Sequence, residues 1–297
     1  MLLDGFTKTR IATSTDGVEI VTAYAGSGPP LLLMHGNPFT HVCWHHVAPR
    51  LAEEFTVVCT DLRGYGDSSK PPGGDDHAAY SFRAMARDQV DVMAALGFER
   101  FHAAGHDRGA RVLHRMCLDH PDTVLKAAFL DILPQHHLLN NVTRSWATFS
   151  WHWFFMIQPH PTPETMMGAD PEFFIRRKLS KSAAGTSFFA PEALAEYIRC
   201  ISNPETIHAM CEDYRATFGV DLAMDTEDFA AGRKVKCPAL VLWGEKGGVG
   251  RNHKPAEIWP DYASNIVRTA TVPSGHYLQE ECPDETYAEL RAFFAGA

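Results

Sequence analysis

Apolar positions in this 297-residue chain fall into two kinds of run. Residues 6–12 and 18–25 alternate loosely between apolar and polar on either side of Thr15-Asp16-Gly17, a turn signal, and this predicts an antiparallel hairpin. Downstream the runs are short and continuous, at 30–34, 55–60, 101–105, 125–130, 239–243 and 266–272, with helical periodicity between the later ones, notably over 82–96. Strands that are apolar on both faces, with helices between them, build a parallel sheet covered on both sides. A last helix is predicted around 285–294.

The long interval from 135 to 227 breaks this rhythm. It is rich in aromatic residues and Met, including Trp146, Trp151, Trp153, Phe154, Phe155, Met166, Met167, Phe188 and Phe189, and has helix-like stretches with no strand pattern. A structureless loop of that length does not fit a compact domain. The expected organisation is therefore an α/β core made of residues 1–134 and 228–297, with residues 135–227 forming a helical cap over the C-terminal edge of the sheet. No internal repeat or low-complexity segment interrupts it.

Composition narrows the class of partner. With 45% hydrophobic and 21% charged residues the chain reads as a folded, soluble protein, and 27 Lys+Arg against 36 Asp+Glu give a net charge of −9. Such a field repels polyanions, so nucleic acid is not an expected partner, and any anionic ligand needs a local basic site. No apolar run approaches the roughly 18 residues of a membrane span, and Asp4 interrupts the start before a signal-peptide core could form. No membrane association and a cytoplasmic location are expected. The seven cysteines are scattered without C-x-x-C spacing and read as reduced packing residues. Histidine pairs such as His45-His46 and His136-His137 are adjacent, which on a helix or strand turns the rings apart, so no metal site is expected.

Chemistry concentrates where strands end. The run at 101–105 leads into Gly105-His106-Asp107-Arg108-Gly109, a G-x-D-x-G in the place of the G-x-S-x-G elbow, which holds its middle residue on a sharp strand-to-helix turn. A carboxylate there lies at the positive end of a helix and offers an oxygen nucleophile. Taken alone, the pentapeptide reads equally well as a helix N-cap aspartate. His35-Gly36-Asn37-Pro38 follows the first parallel strand, where the backbone N–H of Asn37 can form an oxyanion hole with that of Arg108. Asp61-Leu62-Arg63-Gly64-Tyr65-Gly66-Asp67-Ser68 follows the second. Ser274-Gly275-His276 follows the last, completing an Asp…Asp…His order in which the second acid is Asp131 or, in competition, Glu245.

These motifs resemble the α/β-hydrolase superfamily over nearly the whole chain. More narrowly the sequence is similar to the haloacetate (fluoroacetate) dehalogenases, through Gly105-His106-Asp107-Arg108-Gly109-Ala110-Arg111, Leu130-Asp131-Ile132-Leu133-Pro134, Trp151-His152-Trp153 and Cys211-Glu212-Asp213-Tyr214-Arg215-Ala216. The resemblance implies an α/β-hydrolase fold in which Asp107 is the nucleophile, His276 the base and Asp131 its orienting acid. It implies that Arg108 and Arg111 hold the substrate carboxylate and that His152, Trp153 and Tyr214 receive the halide.

Elementary electrostatics points the same way. A carboxylate nucleophile meeting a haloacid anion faces a repulsion of about 4 kcal/mol at roughly 4 Å and an effective dielectric near 20. Arg108 and Arg111, three residues apart on one helix face, are placed to offset it, although arginines so spaced also serve as structural ion-pair partners. Departing fluoride needs strong donors in a dry pocket, which His152, Trp153 and Tyr214 can supply, although aromatic residues in such a segment commonly just pack. The expected reaction gives glycolate through an aspartyl ester, with no cofactor and no metal; the partners are the small haloacid and water, with a homodimer left open.

Two departures from the family bear on specificity. Asn37 stands where the family has Phe, and His-Gly-Asn-Pro looks like the haloalkane dehalogenases, which carry Trp rather than Arg after the nucleophile. The stretch 179–191 lacks the family's Trp, which suggests a wider pocket. The alternatives are thus haloalkane dehalogenase, epoxide hydrolase using Tyr197 and Tyr214 as proton donors, and, from another class, a non-catalytic ligand sensor on a hydrolase scaffold. A serine esterase is excluded, because no Ser occupies the elbow.

Overall fold

The computed structural model describes residues 2–14, 16–180 and 185–296. Thr15 of the predicted turn and residues 181–184 of the stretch lacking Trp lie outside them. Each apolar run is a strand: β1 (Thr7–Ala12), β2 (Glu19–Ala25), β3 (Pro30–Met34), β4 (Thr56–Thr60), β5 (Phe101–His106), β6 (Val124–Leu130), β7 (Ala239–Gly244) and β8 (Ile266–Val272). They form one sheet in the order β1-β2-β4-β3-β5-β6-β7-β8. The hairpin is antiparallel, with Thr7 opposite Tyr24, and β2 runs antiparallel to β4; the remaining neighbours are parallel.

The continuous runs are explained by burial on both faces. Leu31, Leu32, Leu33, Ala103, Ala104, Ala127, Ala128, Phe129 and Leu240 are fully inaccessible, each large apolar side chain contributing about 1.5–3 kcal/mol. Helices Phe82–Ala95, Arg108–Asp119 and Pro283–Ala295 supply the covering layers. β8 departs from the pattern: as the edge strand it exposes Val267 and Arg268 to water.

Sheet order locates the site. From β3 the chain crosses to β4 on one side and then to β5 on the other, so strand order reverses between β3 and β5. A crevice therefore opens past the carboxyl ends of these two strands. Between β6 and β7 the described chain is helical, in segments that include Arg144–Phe149, Trp151–Met156, Pro171–Leu179, Pro191–Ile201 and Pro204–Ala216. Caps delimit several of these helices; Asp170, for example, accepts the Phe173 N–H at 2.9 Å. Among the described residues no helix is long and apolar enough to cross a membrane.

The adjacent histidines behave differently from expectation. The rings of His45 and His46 lie 3.8 Å apart, because the pair follows a short 3-10 turn, His41–Trp44, where helix and strand geometry no longer separates neighbours.

Candidate active site

Asp107 occupies the single position between β5 and the helix Arg108–Asp119, with φ 50° and ψ −115°. A non-glycine residue in such a conformation stores about 1–3 kcal/mol of strain, which the surroundings must over-determine. They do so by close approach. A Cβ on Gly105 would stand 2.3 Å from the Gly109 carbonyl oxygen, one on Gly109 2.5 Å from that of His35, and one on Gly36 2.3 Å from Asp107 Cβ. Strand, helix and the loop after β3 therefore meet at distances only glycine permits.

The Asp107 carboxylate does not cap its own helix, which removes the N-cap reading. Oδ1 accepts the Asn37 backbone N–H at 2.9 Å and Oδ2 lies 3.5 Å from His276 Nε2. On its far side His276 Nδ1 meets Asp131 Oδ2 at 2.5 Å, while Asp131 Oδ1 accepts the Gly244 N–H at 3.0 Å. The competing acid, Glu245, is exposed and accepts from the Thr271 hydroxyl. His106, the variable residue of the elbow, donates from Nε2 to the His276 carbonyl at 2.7 Å and thereby fixes the histidine loop.

The charge states follow from these contacts. Burial opposes ionisation of Asp107, but the hydrogen bond and charge of His276, with Lys178 beyond, outweigh it and hold the carboxyl well below its ordinary value. Burial likewise disfavours the His276 cation, yet bonds to Asp107 and Asp131 lift its pKa to about 9. In the resting site an imidazolium thus lies between two carboxylates. Burial and the nearby charge of Asp107 push the Tyr214 hydroxyl well above its usual range, so it stays a donor.

A cavity of about 60 Å³ opens on this group, walled by Asn37, Asp107, Arg111, His152, Trp153, Lys178, Tyr214 and His276 among others. The three residues expected to receive the halide stand together, with the Tyr214 ring edge-on to His152 at 5.9 Å and to Trp153 at 5.4 Å. Phe188 and Phe189, of the stretch without the family's Trp, pack on Tyr277, at 6.1 and 5.6 Å.

The two arginines part company. Arg111 reaches the cavity wall, with Nη1 donating to Leu133 O at 3.1 Å and Gln135 Oε1 at 3.0 Å and Nε left without a hydrogen-bond partner. Burial and the proximity of Arg108 lower its pKa to about 10, so it remains a cation at neutral pH. Arg108 is fully buried behind the wall in a bidentate pair with Asp213, through Nε to Oδ2 at 2.9 Å and Nη2 to Oδ1, and Nη2 also meets Thr217 Oγ1. Its Nη1 alone has no partner.

Sequence reasoning missed the cation that does share the wall with Arg111. Lys178 is buried, and its Nζ donates to the Asn37 carbonyl at 3.0 Å and to Asn37 Oδ1. In sequence it closes Arg176-Arg177-Lys178, which looks like a solvated run. Its spacing from the buried Phe174 and Ile175 is the signal, since a lysine at i+3 or i+4 on an apolar helix face is turned inward. Tyr65 was missed too: its hydroxyl accepts from Asn37 Nδ2 at 3.1 Å and donates to Asp213 Oδ2 at 2.5 Å, joining the oxyanion loop to the Arg108 pair. The groups His45/His46/Glu280 and His160/Glu164/His208 bring metal-compatible atoms within 4.8 Å of one another, and none of these residues lines the cavity.

Comparison with known proteins agrees with this geometry. The chain matches the α/β-hydrolase-fold family over residues 29–283. It is 47% identical to a fluoroacetate dehalogenase from a Burkholderia species, covering 100% of this chain and 96% of that one. It is 33% identical to a soluble epoxide hydrolase from Corynebacterium sp. strain C12, covering 94% and 95%. Among solved structures, a Nostoc sp. PCC 7120 protein provisionally described as an α/β hydrolase superposes with a TM-score of 0.96 and 49% identity across 100% of both chains.

Proposed function

The chain belongs to the α/β-hydrolase family and, within it, to the haloacetate dehalogenases, and from that premise we propose that it hydrolyses fluoroacetate or chloroacetate to glycolate and halide. The observation that carries this reading is the composition of one small cavity, in which the Asp107 carboxylate faces the buried cations Arg111 and Lys178. A neutral substrate would leave Arg111, whose Nε has no hydrogen-bond partner, without an anion at the cavity wall, at a cost of several kcal/mol. A haloacid anion pairs with it. By the measure in which one water takes roughly 10–15 Å³, the cavity of about 60 Å³ suits a molecule of a few heavy atoms.

In the first step Asp107 Oδ2 attacks the carbon bearing the halogen from the side opposite to it. The C–O bond forms as the carbon–halogen bond breaks, and the electron pair leaves with the halide toward His152, Trp153 and Tyr214. Arg111 takes the substrate carboxylate as a guanidinium fork, with the Arg108 charge held behind the wall by Asp213 and Thr217. Esterification removes the Asp107 charge, and with it part of the field that keeps His276 protonated. The imidazolium then gives its proton to solvent water and becomes a neutral base. In the second step it takes a proton from water, whose oxygen adds to Cγ of Asp107. Oδ1 carries the oxyanion against the N–H groups of Asn37 and Arg108. As the intermediate collapses, the Cγ–Oδ2 bond breaks with Oδ2 leaving on glycolate, His276 returns its proton to that oxygen, and the water oxygen stays on a regenerated Asp107 carboxyl.

The epoxide reading calls for two tyrosines at the cavity. Tyr214 is there, but Tyr197 gives its hydroxyl to Glu280 outside it. A panel of fluoroacetate, chloroacetate, a bromoalkane and an epoxide, followed by halide electrode and diol assay, tests the proposal. Halide from the two acids and none from the bromoalkane is expected; diol formation without halide release overturns it.

A further inference from the structure

A second cavity, of about 500 Å³, adjoins the first, and Phe149, Gly248, His276 and Tyr277 wall both. Phe149 ends the helix Arg144–Phe149, and Gly248 begins the helix Gly248–Asn252 beyond β7. A Cβ on Gly248 would stand 2.7 Å from Phe149 Cε1. Where the two chambers adjoin, the Phe149 ring therefore closes a throat against a position without a side chain.

The outer chamber carries a charge opposite to that of the protein. Lys246 and Arg251 line it, both exposed, and among the described residues neither forms an ion pair. Its described carboxylate, Glu281, accepts the backbone N–H groups of Gly275 at 2.8 Å and Tyr277 at 3.0 Å and is held against the loop. The whole chain bears −9, so its general field repels small anions. A concave basic site reverses that field locally and raises the anion concentration at its floor.

We infer that this outer chamber is the path by which the anionic substrate reaches Asp107 and the halide departs, with Lys246 and Arg251 drawing anions to the Phe149–Gly248 throat. The identity of the substrate rests on the reaction proposed above. That an anion is drawn in does not, because Arg111 and Lys178 make the inner cavity an anion site for any reaction.

The test is the double variant Lys246→Glu/Arg251→Glu. At low ionic strength its kcat/KM for chloroacetate is expected to fall about tenfold with kcat within about twofold, the lower end of steering effects. At about 0.5 M salt, where screening shortens the reach of surface charge to a few Å, the difference closes. Stopped-flow quenching of Trp146 and Trp153, which line the inner cavity, reads bromide association without any turnover and is expected to slow in parallel. Phe149→Ala, which opens the throat, is expected to speed bromide association several-fold at every salt concentration. Equal low-salt bromide rates in wild type and double variant, or a deficit that salt does not remove, overturn the inference. If the wild type releases no halide from haloacetates while bromide association still slows in the double variant, the reaction reading falls and the path stands.

Discussion

Asp107 is buried, yet its contacts hold the carboxyl well below its ordinary pKa, and the proposed reaction draws on the same arrangement. Its two oxygens are divided between a backbone N–H and an imidazolium, so one is held as a future carbonyl and the other faces the cavity. Replacing it by Asn keeps the shape and removes the attacking charge; halide release is expected to vanish, and an Asn variant retaining more than a trace of wild-type turnover would transfer the nucleophile's role elsewhere. Arg111→Leu leaves a bound haloacid without its nearest fork. Truncating one member of a buried charge pair costs about 2–5 kcal/mol, so kcat/KM for chloroacetate is expected to fall by thirtyfold or more, and steady-state kinetics with an unchanged melting temperature checks it. That Asp107, Asp131 and His276 stand together could be read from strand ends, because an elbow and a terminal Gly-His have few structural alternatives. Lys178 could not be read so directly, because its run of three basic residues hides the helical phase that turns only the third inward.

Elements do more here than carry residues. The helix Pro204–Ala216 brings Asp213 against Arg108, which begins the helix leaving the elbow, so one buried ion pair locks the segment between β6 and β7 onto the nucleophile's own helix. Removing one partner strands a charge in the interior, and Asp213→Asn is expected to destabilise the protein by about 3–5 kcal/mol, measured by urea unfolding. A loss below about 1 kcal/mol would mean that water reaches Arg108. This pairing explains why only part of the site was legible in the sequence. That Arg108 and Arg111 share a face follows from their spacing, but which of them meets the cavity depends on a carboxylate 105 residues away, and local pattern carries no information about that distance. The strands were legible nearly to the residue, because β3, β5 and β6 are buried on both faces and leave unbroken apolar runs. β8 shows the limit of the rule, since an edge strand reads as apolar while exposing Val267.

At the scale of the whole molecule, pH acts through the seam between the helical segment and the core. Glu280 lies there beneath Tyr197, and burial raises its pKa from 4.5 to about 8. The folded protein therefore keeps this carboxyl neutral while the unfolded chain ionises it. Its contribution to stability is complete below pH 4.5 and is lost progressively as pH rises toward 8. Glu280→Gln has nothing to ionise, so its melting temperature is expected to fall less than that of the wild type between pH 5 and pH 8; parallel curves would place the proton elsewhere. The same molecule joins a negative overall charge to a cavity lined by the buried cations Arg111 and Lys178, the combination that the proposed small anionic substrate calls for. The central claim is that this anion becomes covalently attached to Asp107, and intact-mass spectrometry of His276→Gln mixed with chloroacetate tests it most directly. The base being absent, one chloride per site should be released and the protein should gain the mass of a carboxymethyl group, localised by peptide mapping to Asp107. Chloride released without an adduct, or an adduct on any other residue, would contradict the account.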